Sequence, residues 1–450
     1  MSPAHTHRFT TWLRTLALTA FVISIHTPRV RAQAVSSARP ALTLRALLDS
    51  VRVNHPVLLA ANSRVRAARG SRISAGVFGN PTFAYLVDQT PFPGSGPLPE
   101  LEREAMTTVT LPLEFLYQRG SRITRADAGV RAAEADASAA RQRVALDAAT
   151  AFYRVGLAEI QSAVTRDLLG WLDTLVAYNR ARVEEGVAAE ADLIRTKLER
   201  DRAGADAAMQ LAEVFQARAA LDAYLPAGSL IGVGAITLDP APMALPTAAR
   251  GDRVLLPSVP GTRAEVRAAR ERLAESNAAV ASERSMLVRQ LGATIGTMQT
   301  GHTTSMIAGV SLPLPLFDQN RGEVQRAGAE RDAAAFELAA QERTAAADLQ
   351  GALEAARILT DGASRLASSD STSFLARADE SRRIALGAYR EGAVPLFQVI
   401  DAARSWSEAR MTYYRTIVAQ HQSILWLLVT QGRDLYSELR ESTSVGGSPR

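Results

Sequence analysis

Side chains able to do chemistry are spread thinly along this chain, and their spacing argues against a reaction centre. Six histidines occur in 450 residues and cysteine is absent. Beyond residue 34 only His55, His302 and His421 remain, too scattered to converge as a metal site or as the base of a nucleophilic triad. His55 precedes Pro56 and reads as a turn residue, and His302 falls in a short polar loop. Without cysteine there is no disulfide, thiolate ligand, thiol nucleophile or lipid-bearing cysteine. Carboxylates are plentiful but alternate with arginine along helical faces, as on a solvated surface. The run from Gly228 to Gly234 lacks the lysine and the strand–helix setting of a phosphate loop. These patterns predict a non-enzymatic protein with no cofactor and no resident metal.

One constellation stands out. Glu184, Glu185, Glu190 and Asp192 lie around Gly186, and Glu391 and Asp401 lie near Gly392. Brought together in several copies, these acids would form a ring that favours cations and offers salt bridges to hold a tunnel shut. The plainer alternative is that they keep two exposed turns soluble.

The elements that would position these acids are written twice. Thr110-Leu111-Pro112-Leu113 returns as Ser311-Leu312-Pro313-Leu314, Gln118-Arg119-Gly120 as Asn320-Arg321-Gly322, and Val183-Glu184-Glu185-Gly186-Val187 as Tyr389-Arg390-Glu391-Gly392-Ala393. The offset stays near about two hundred residues, which points to two copies of one structural unit. We expect a first repeat over 35–225, a Pro/Gly-rich connector over 226–261 and a second repeat over 262–438, followed by a flexible tail over 439–450.

Within each repeat the periodicity changes character. Leu44, Leu47, Leu48 and Val51 mark a helix that resumes after Pro56. Strand-like alternation follows near 81–87 (Phe83, Tyr85, Val87) and 106–113 (Val109, Leu111, Leu113), and again near 291–298 and 305–313 (Leu291, Ala293, Ile295; Met306, Ala308, Val310, Leu312). Pro91–Pro97 is a loop between the first pair. Segments of about nine to eleven alternating residues suit tilted membrane strands, although a soluble hairpin with one buried face would look the same. From Gly120 to Arg182 there is no proline, and Ala and Val recur at the helical period. That is a rod of about 95 Å, longer than compact domains use. A matching rod from Gly322 toward Tyr389 is interrupted at Ser368–Ser373. Four strands cannot close a barrel, so oligomerisation is expected.

Arg8 and Arg14 before the apolar run Leu16–Ile25, with Ala32-Gln33-Ala34 behind it, read as a cleaved export signal over 1–34. Its removal takes four arginines and no acid, so the formal charge drops from +5 to +1. With the remaining basic residues interleaved with acids, nucleic acid is not an expected partner. Past the leader no apolar run approaches the roughly 20 residues of a membrane helix, which leaves a β-barrel or a soluble periplasmic life.

These residues resemble the TolC-type outer-membrane efflux channels, and more narrowly the CzcC/CusC-like subunits of heavy-metal efflux systems. The resemblance rests on Leu42-Thr43-Leu44, Asn54-His55-Pro56 and Asn80-Pro81, on the string from Leu312 to Gly322, and on the turns at Gly186 and Gly392. It implies a mainly α protein of long antiparallel helical hairpins with four transmembrane strands per protomer, assembled as a homotrimer with a twelve-stranded barrel in outer-membrane lipid. It also implies a periplasmic tunnel meeting an adaptor protein and an inner-membrane pump of the RND type, the channel passing substrate passively. On this reading Val183, Glu184, Glu185, Gly186, Glu190, Asp192, Arg390, Glu391, Gly392 and Asp401 form the adaptor-binding tips. Val394-Pro395 in the second tip, and Arg195 where the other repeat has Asp401, depart from symmetry between the tips. The competing readings are a soluble periplasmic coiled-coil adaptor or scaffold and, more remotely, an exported hydrolase.

Overall fold

Thr43 opens the first helix by accepting a hydrogen bond from the Ala46 amide on its hydroxyl, and Pro56, which cannot continue that helix, starts the next. A computed structural model describes residues 41–88, 104–226, 236, 238–246, 260–287, 291–367 and 373–438. The expected leader over 1–34, the Pro91–Pro97 loop, the Gly228–Gly234 run, much of the connector and the tail over 439–450 lie outside the described residues. Helices α1 (Leu44–Asn54) and α2 (Pro56–Gly76) lead into strands β1 (Thr82–Asp88) and β2 (Glu104–Pro112). A 66-residue helix α3 (Arg119–Glu184) and its return α4 (Glu190–Asp222) follow. The second half runs α5 (Ala264–Ser285), β3 (Gly292–Thr300), β4 (Thr303–Ser311), α6 (Arg321–Leu366), α7 (Phe374–Arg390) and α8 (Leu396–Thr430). Helix α6 ends at Leu366, and Ser373 caps α7 by accepting from the Ala376 amide; residues 368–372 of the expected serine-rich interruption lie outside the described residues.

The four strands form one antiparallel sheet in the order β1-β2-β3-β4. The middle pairing, β2 with β3, joins the two halves of the chain, with Thr110 opposite Thr294 and their hydroxyls 2.9 Å apart. The helices lie side by side in a matching order. On the first half of α3, α2 packs on one flank through Val65 and Ala61 against Ala137, with Arg69 bonded to Glu134 at 2.7 Å. On its other flank lies α5, through Arg131–Glu271 and Arg125–Glu283. On the second half α4 takes the place of α2, through Arg218–Glu159 and Arg154–Glu213. There α8 takes the place of α5, Val399 and Ile400 packing with Leu172 and Leu175. Helices α6 and α7 flank α5 and α8 on the far side.

Two junctions join short helices end to end. His55 at the start of α2 stacks on Tyr224 just past α4, ring centroids 5.5 Å apart. Gly432, past the end of α8, has φ +75 and touches Thr262 ahead of α5; an added Cβ would sit 2.6 Å from the Thr262 carbonyl oxygen. The chain thus builds four rods in the order α4/α2, α3, α8/α5, α7/α6. Each strand continues one rod: α2 runs into β1, β2 into α3, α5 into β3 and β4 into α6. In the core, small residues of α3, among them the fully buried Ala145, Ala148 and Ala149, pack with Leu47 of α1, Leu221 of α4 and Ile424 and Leu427 of α8, and close approach at such positions fits the abundance of alanine.

The connector does more than link. Its described part lies along α3 and α8 as a strap: Gln420 of α8 donates to the Met243 carbonyl at 2.6 Å and accepts from the Met243 amide at 3.0 Å. Tyr413 donates to the Pro240 carbonyl, and the His421 ring bonds Ala241. Leu238 fills the space beside Gly156, where a Cβ would approach it to 2.5 Å. Among the described residues no helix is long and apolar enough to cross a membrane.

Candidate functional site

The two faces of the sheet differ in their balance of side chains. Register places Phe83, Tyr85 and Val87 beside Val109 and Leu111, then Ile295 and Ala293, then Met306, Ala308 and Val310 on one face, with Thr107, Thr297, Gln299 and Thr304 among them. The other face is richer in hydroxyls and glycine, carrying Thr82, Thr108, Thr110, Thr294, Thr300, Thr303 and Ser305 with Gly292, Gly296 and Gly309, and also Leu86, Met106, Met298 and Ile307. Among the described strand residues only Thr108 and Gly292 are buried, so both faces stand uncovered in the single chain. Met306 is 74% exposed and Val310 72%. In water this is costly: eight large apolar side chains on one face forgo roughly 10–20 kcal/mol of burial. Unpaired backbone on the outer edges of β1 and β4 would add several kcal/mol per group in hydrocarbon.

The helical wall is open at the same two edges. Large exposed apolar side chains are absent from α3 and α5 among the described residues, and α8 has only Phe397. They collect on the edge rods: Val57, Leu59, Ile73, Ile194, Leu198 and Phe215 on one side, Phe336, Ile358 and Ile384 on the other. Sheet and wall therefore both lack a neighbour at the same flanks.

At the far end from the sheet lie the two glycine turns. Gly186 has φ +71 and Gly392 φ +74, a conformation glycine adopts without steric cost. Each closes its helix with the same pair of bonds: the Gly186 amide to Val183 and the Val187 amide to Arg182; the Gly392 amide to Tyr389 and the Ala393 amide to Ala388. Val183 and Glu184 are the last residues of α3, Arg390 the last of α7, and Glu190 and Asp192 lie in the first turn of α4, where the helix dipole favours acids. Asp401 departs from the expectation, sitting within α8 and not in the turn. Glu184, Glu185, Glu190, Glu391 and Asp401 are exposed.

Behind the turns lies a buried polar chain that periodicity did not reveal. Tyr389 donates to the Asn179 side-chain carbonyl at 2.7 Å, Asn179 donates to Thr196 at 2.9 Å, and Thr196 donates to the Asp192 backbone carbonyl at 2.7 Å. Burial raises the Tyr389 pKa, opposed by nearby Arg182, which packs over the Tyr178 and Tyr389 rings. Arg195 stacks on Phe397, and Arg404 pairs with Glu199. The two hairpins are thereby tied together one turn or more above their tips. A signal existed: Asn179 and Thr196 are polar positions within apolar stripes.

The histidines do not converge. His55 stacks on Tyr224, His421 lies edge-on to Tyr153, and His302 is an exposed turn residue between β3 and β4. Burial lowers the pKa of His55 and of His421. No group of three or more metal-ligating side chains is found among the described residues.

No protein-family profile matches the chain. In sequence it is similar to the nickel-cobalt-cadmium resistance protein NccC of Alcaligenes xylosoxydans xylosoxydans, 26% identical over 281 residues; the match spans 60% of this chain and only 60% of NccC. It is 24% identical over 393 residues to the cobalt-zinc-cadmium resistance protein CzcC of Cupriavidus metallidurans, covering 85% of this chain and 88% of that one. In structure it is similar to the CmeC outer membrane channel of Campylobacter jejuni, with a TM-score of 0.70 at 15% identity over 89% of each chain.

Proposed function

We propose that this chain, which has the fold of the TolC-type outer-membrane channels, is the channel subunit of a tripartite efflux system. The observation that carries this reading is the coincidence of open edges. A sheet with one apolar and one threonine-rich face, and a helical wall with apolar flanks, both end at the same two sides, and rotation of identical copies closes both at once. Three copies give twelve strands, enough for a water-filled lumen lined by the hydroxyl face while the apolar face meets outer-membrane lipid. The rods then extend the lumen across the periplasm. Four strands in a soluble coiled-coil adaptor would have no use for that exposed face, so the adaptor reading is not favoured.

Transport in this scheme is passive. Direction comes from an inner-membrane pump acting through a periplasmic adaptor. The turns at Gly186 and Gly392, with Val183, Glu184, Glu185, Glu190, Asp192, Arg390, Glu391 and nearby Asp401, are proposed as the surface the adaptor meets. The likeness to NccC and CzcC, named for resistance to nickel, cobalt, zinc and cadmium, supports heavy-metal cations as the cargo. The acidic tips would favour cations over anions at the entrance.

The test is reconstitution. The mature chain should fractionate with outer membranes after a carbonate wash, have the mass of three copies in detergent, and conduct ions in a planar bilayer, with Glu184→Ala plus Asp192→Ala lowering cation preference. A polypeptide that is monomeric and stable without detergent would overturn the channel reading. Unchanged selectivity in the double variant would remove only the role of the tip acids.

A further inference from the structure

The internal repeat supplies a template for a contact the single chain cannot show. Within the chain the seam between the two copies is β2 against β3, with Thr110 opposite Thr294. The hairpins fix how one copy overlays the other. Thr82 faces Thr110 in the first, and Gly292 faces Ser311 in the second, so the sequence echo of Thr110 in Ser311 also places Thr82 on Gly292. Carrying the β2–β3 seam across this overlay sends Thr110 to Ser311 and Thr294 to Ala84.

From this overlay we infer that β4 of one protomer pairs with β1 of the next in a single register: Ser311 opposite Ala84, Val310 opposite Tyr85, Gly309 opposite Leu86 and Ala308 opposite Val87. The inference rests on the channel reading above and specifies the seam that the reading leaves open.

The overlay preserves the faces of the sheet: Val310 and Ala308 meet Tyr85 and Val87 on the apolar face, and Ser311 meets Ala84 on the hydroxyl face, where Ile307 falls opposite Asp88. A slip of one residue would bring apolar-face side chains opposite hydroxyl-face ones along the whole seam. An observation that does not enter the overlay agrees with this register, because it also matches volume. In the internal seam Thr108 faces Gly296, whose Cα leaves no room for a side chain: an added Cβ would come within 2.8 Å of the Thr108 Cγ2. In the inferred seam the glycine changes strand. Gly309 has nothing within 4 Å of a Cβ position, and the residue set opposite it is Leu86, the large side chain of β1 on the hydroxyl face, 53% exposed in the single chain. Leu86 would lie over Gly309 as Thr108 lies over Gly296.

The native chain has no cysteine, so paired cysteines report the seam cleanly. Directly opposed residues in an antiparallel pair have Cα atoms about 4.5–5.5 Å apart, within disulfide reach, whereas diagonal neighbours do not. The double variants Ala84→Cys with Ser311→Cys, and Tyr85→Cys with Val310→Cys, are oxidised in outer membranes and run on a non-reducing denaturing gel. Both should give covalent dimers and trimers that collapse on reduction. Tyr85→Cys paired with Ala308→Cys or with Leu312→Cys should give at least tenfold less. Strong linkage in either shifted pair, with the cysteine-free parent still trimeric by native mass, overturns the register and leaves the channel reading intact. A trimeric parent that cross-links in none of the four pairs overturns the β4–β1 seam itself. A monomeric parent overturns the channel reading.

Discussion

Asn179 is the residue whose removal should most clearly separate the two hairpins above their tips. It is fully buried, accepts from Tyr389 at 2.7 Å and donates to Thr196 at 2.9 Å. Asn179→Leu keeps the volume and removes both bonds. Thr196 keeps its own bond to the Asp192 carbonyl, so the main loss falls on the Tyr389 hydroxyl, which burial keeps protonated and therefore in need of an acceptor. An unsatisfied buried donor costs about 1–3 kcal/mol. Tyr389→Phe leaves the Asn179 carbonyl unpaired, with a similar cost. Replacing both partners by apolar groups is nearly neutral, so the double variant should be less destabilised than the two singles together by at least about 1 kcal/mol. The readout is amide hydrogen exchange over 175–200 and 385–400, which reports local opening. A loss of about 2 kcal/mol accelerates exchange about thirtyfold in each single variant. Additive effects, or protection unchanged by Asn179→Leu, would mean that the apolar cluster of Leu172, Leu396 and Val399 alone holds the hairpins and that the polar chain is incidental.

Three further outcomes follow from the same geometry. Gly392→Ala, where a methyl meets open space but φ is +74, should cost about 1–2 kcal/mol; Gly432→Ala adds a clash with Thr262 and should lower the thermal midpoint clearly more. Because burial lowers the His421 and His55 pKa below the ordinary 6.5, the unfolded chain takes up protons first on acidification. Stability is then complete above about pH 6.5 and falls below it, and His421→Gln should flatten that slope in melts at pH 5 and pH 7.5. Met306→Arg on the apolar face should cost about 2–4 kcal/mol and deplete assembled trimer from outer membranes, whereas Ser305→Arg on the opposite face should assemble normally.

The amino-acid pattern made the elements legible because each rests on local physics. Period-two alternation marked all four strands to within two or three residues, helical periodicity marked α3, and Gly186 and Gly392 marked the turns through a conformation that other residues resist. The resemblance in Leu312–Gly322 led to the fold that CmeC shares. The features that the sequence does not display depend on partners distant along the chain. Nothing near His55 announces Tyr224, nothing near Gly432 announces Thr262, and the strap held by Gln420 reads in sequence as a loose Pro/Gly connector. The polar run Gln420-His421-Gln422 within the apolar stretch from Ile417 to Val429 of α8 is the available hint, since buried amides need partners. Asp401 lies nine residues past Gly392 in sequence, yet it sits within α8 and outside the turn.

The β2–β3 seam also dictates an order of events during biogenesis. Its two strands are encoded 184 positions apart, as Thr110 and Thr294, while α3 and α4 meet across a turn of a few residues. Contacts between sequence neighbours form quickly, and those that close long loops form late. The helical hairpins are therefore the early product of synthesis, and an emerging first half carries β2 with no mate until the second half is made. On the channel reading proposed above, the barrel wall is then the last part of the molecule to exist, completed only once its mates are in place.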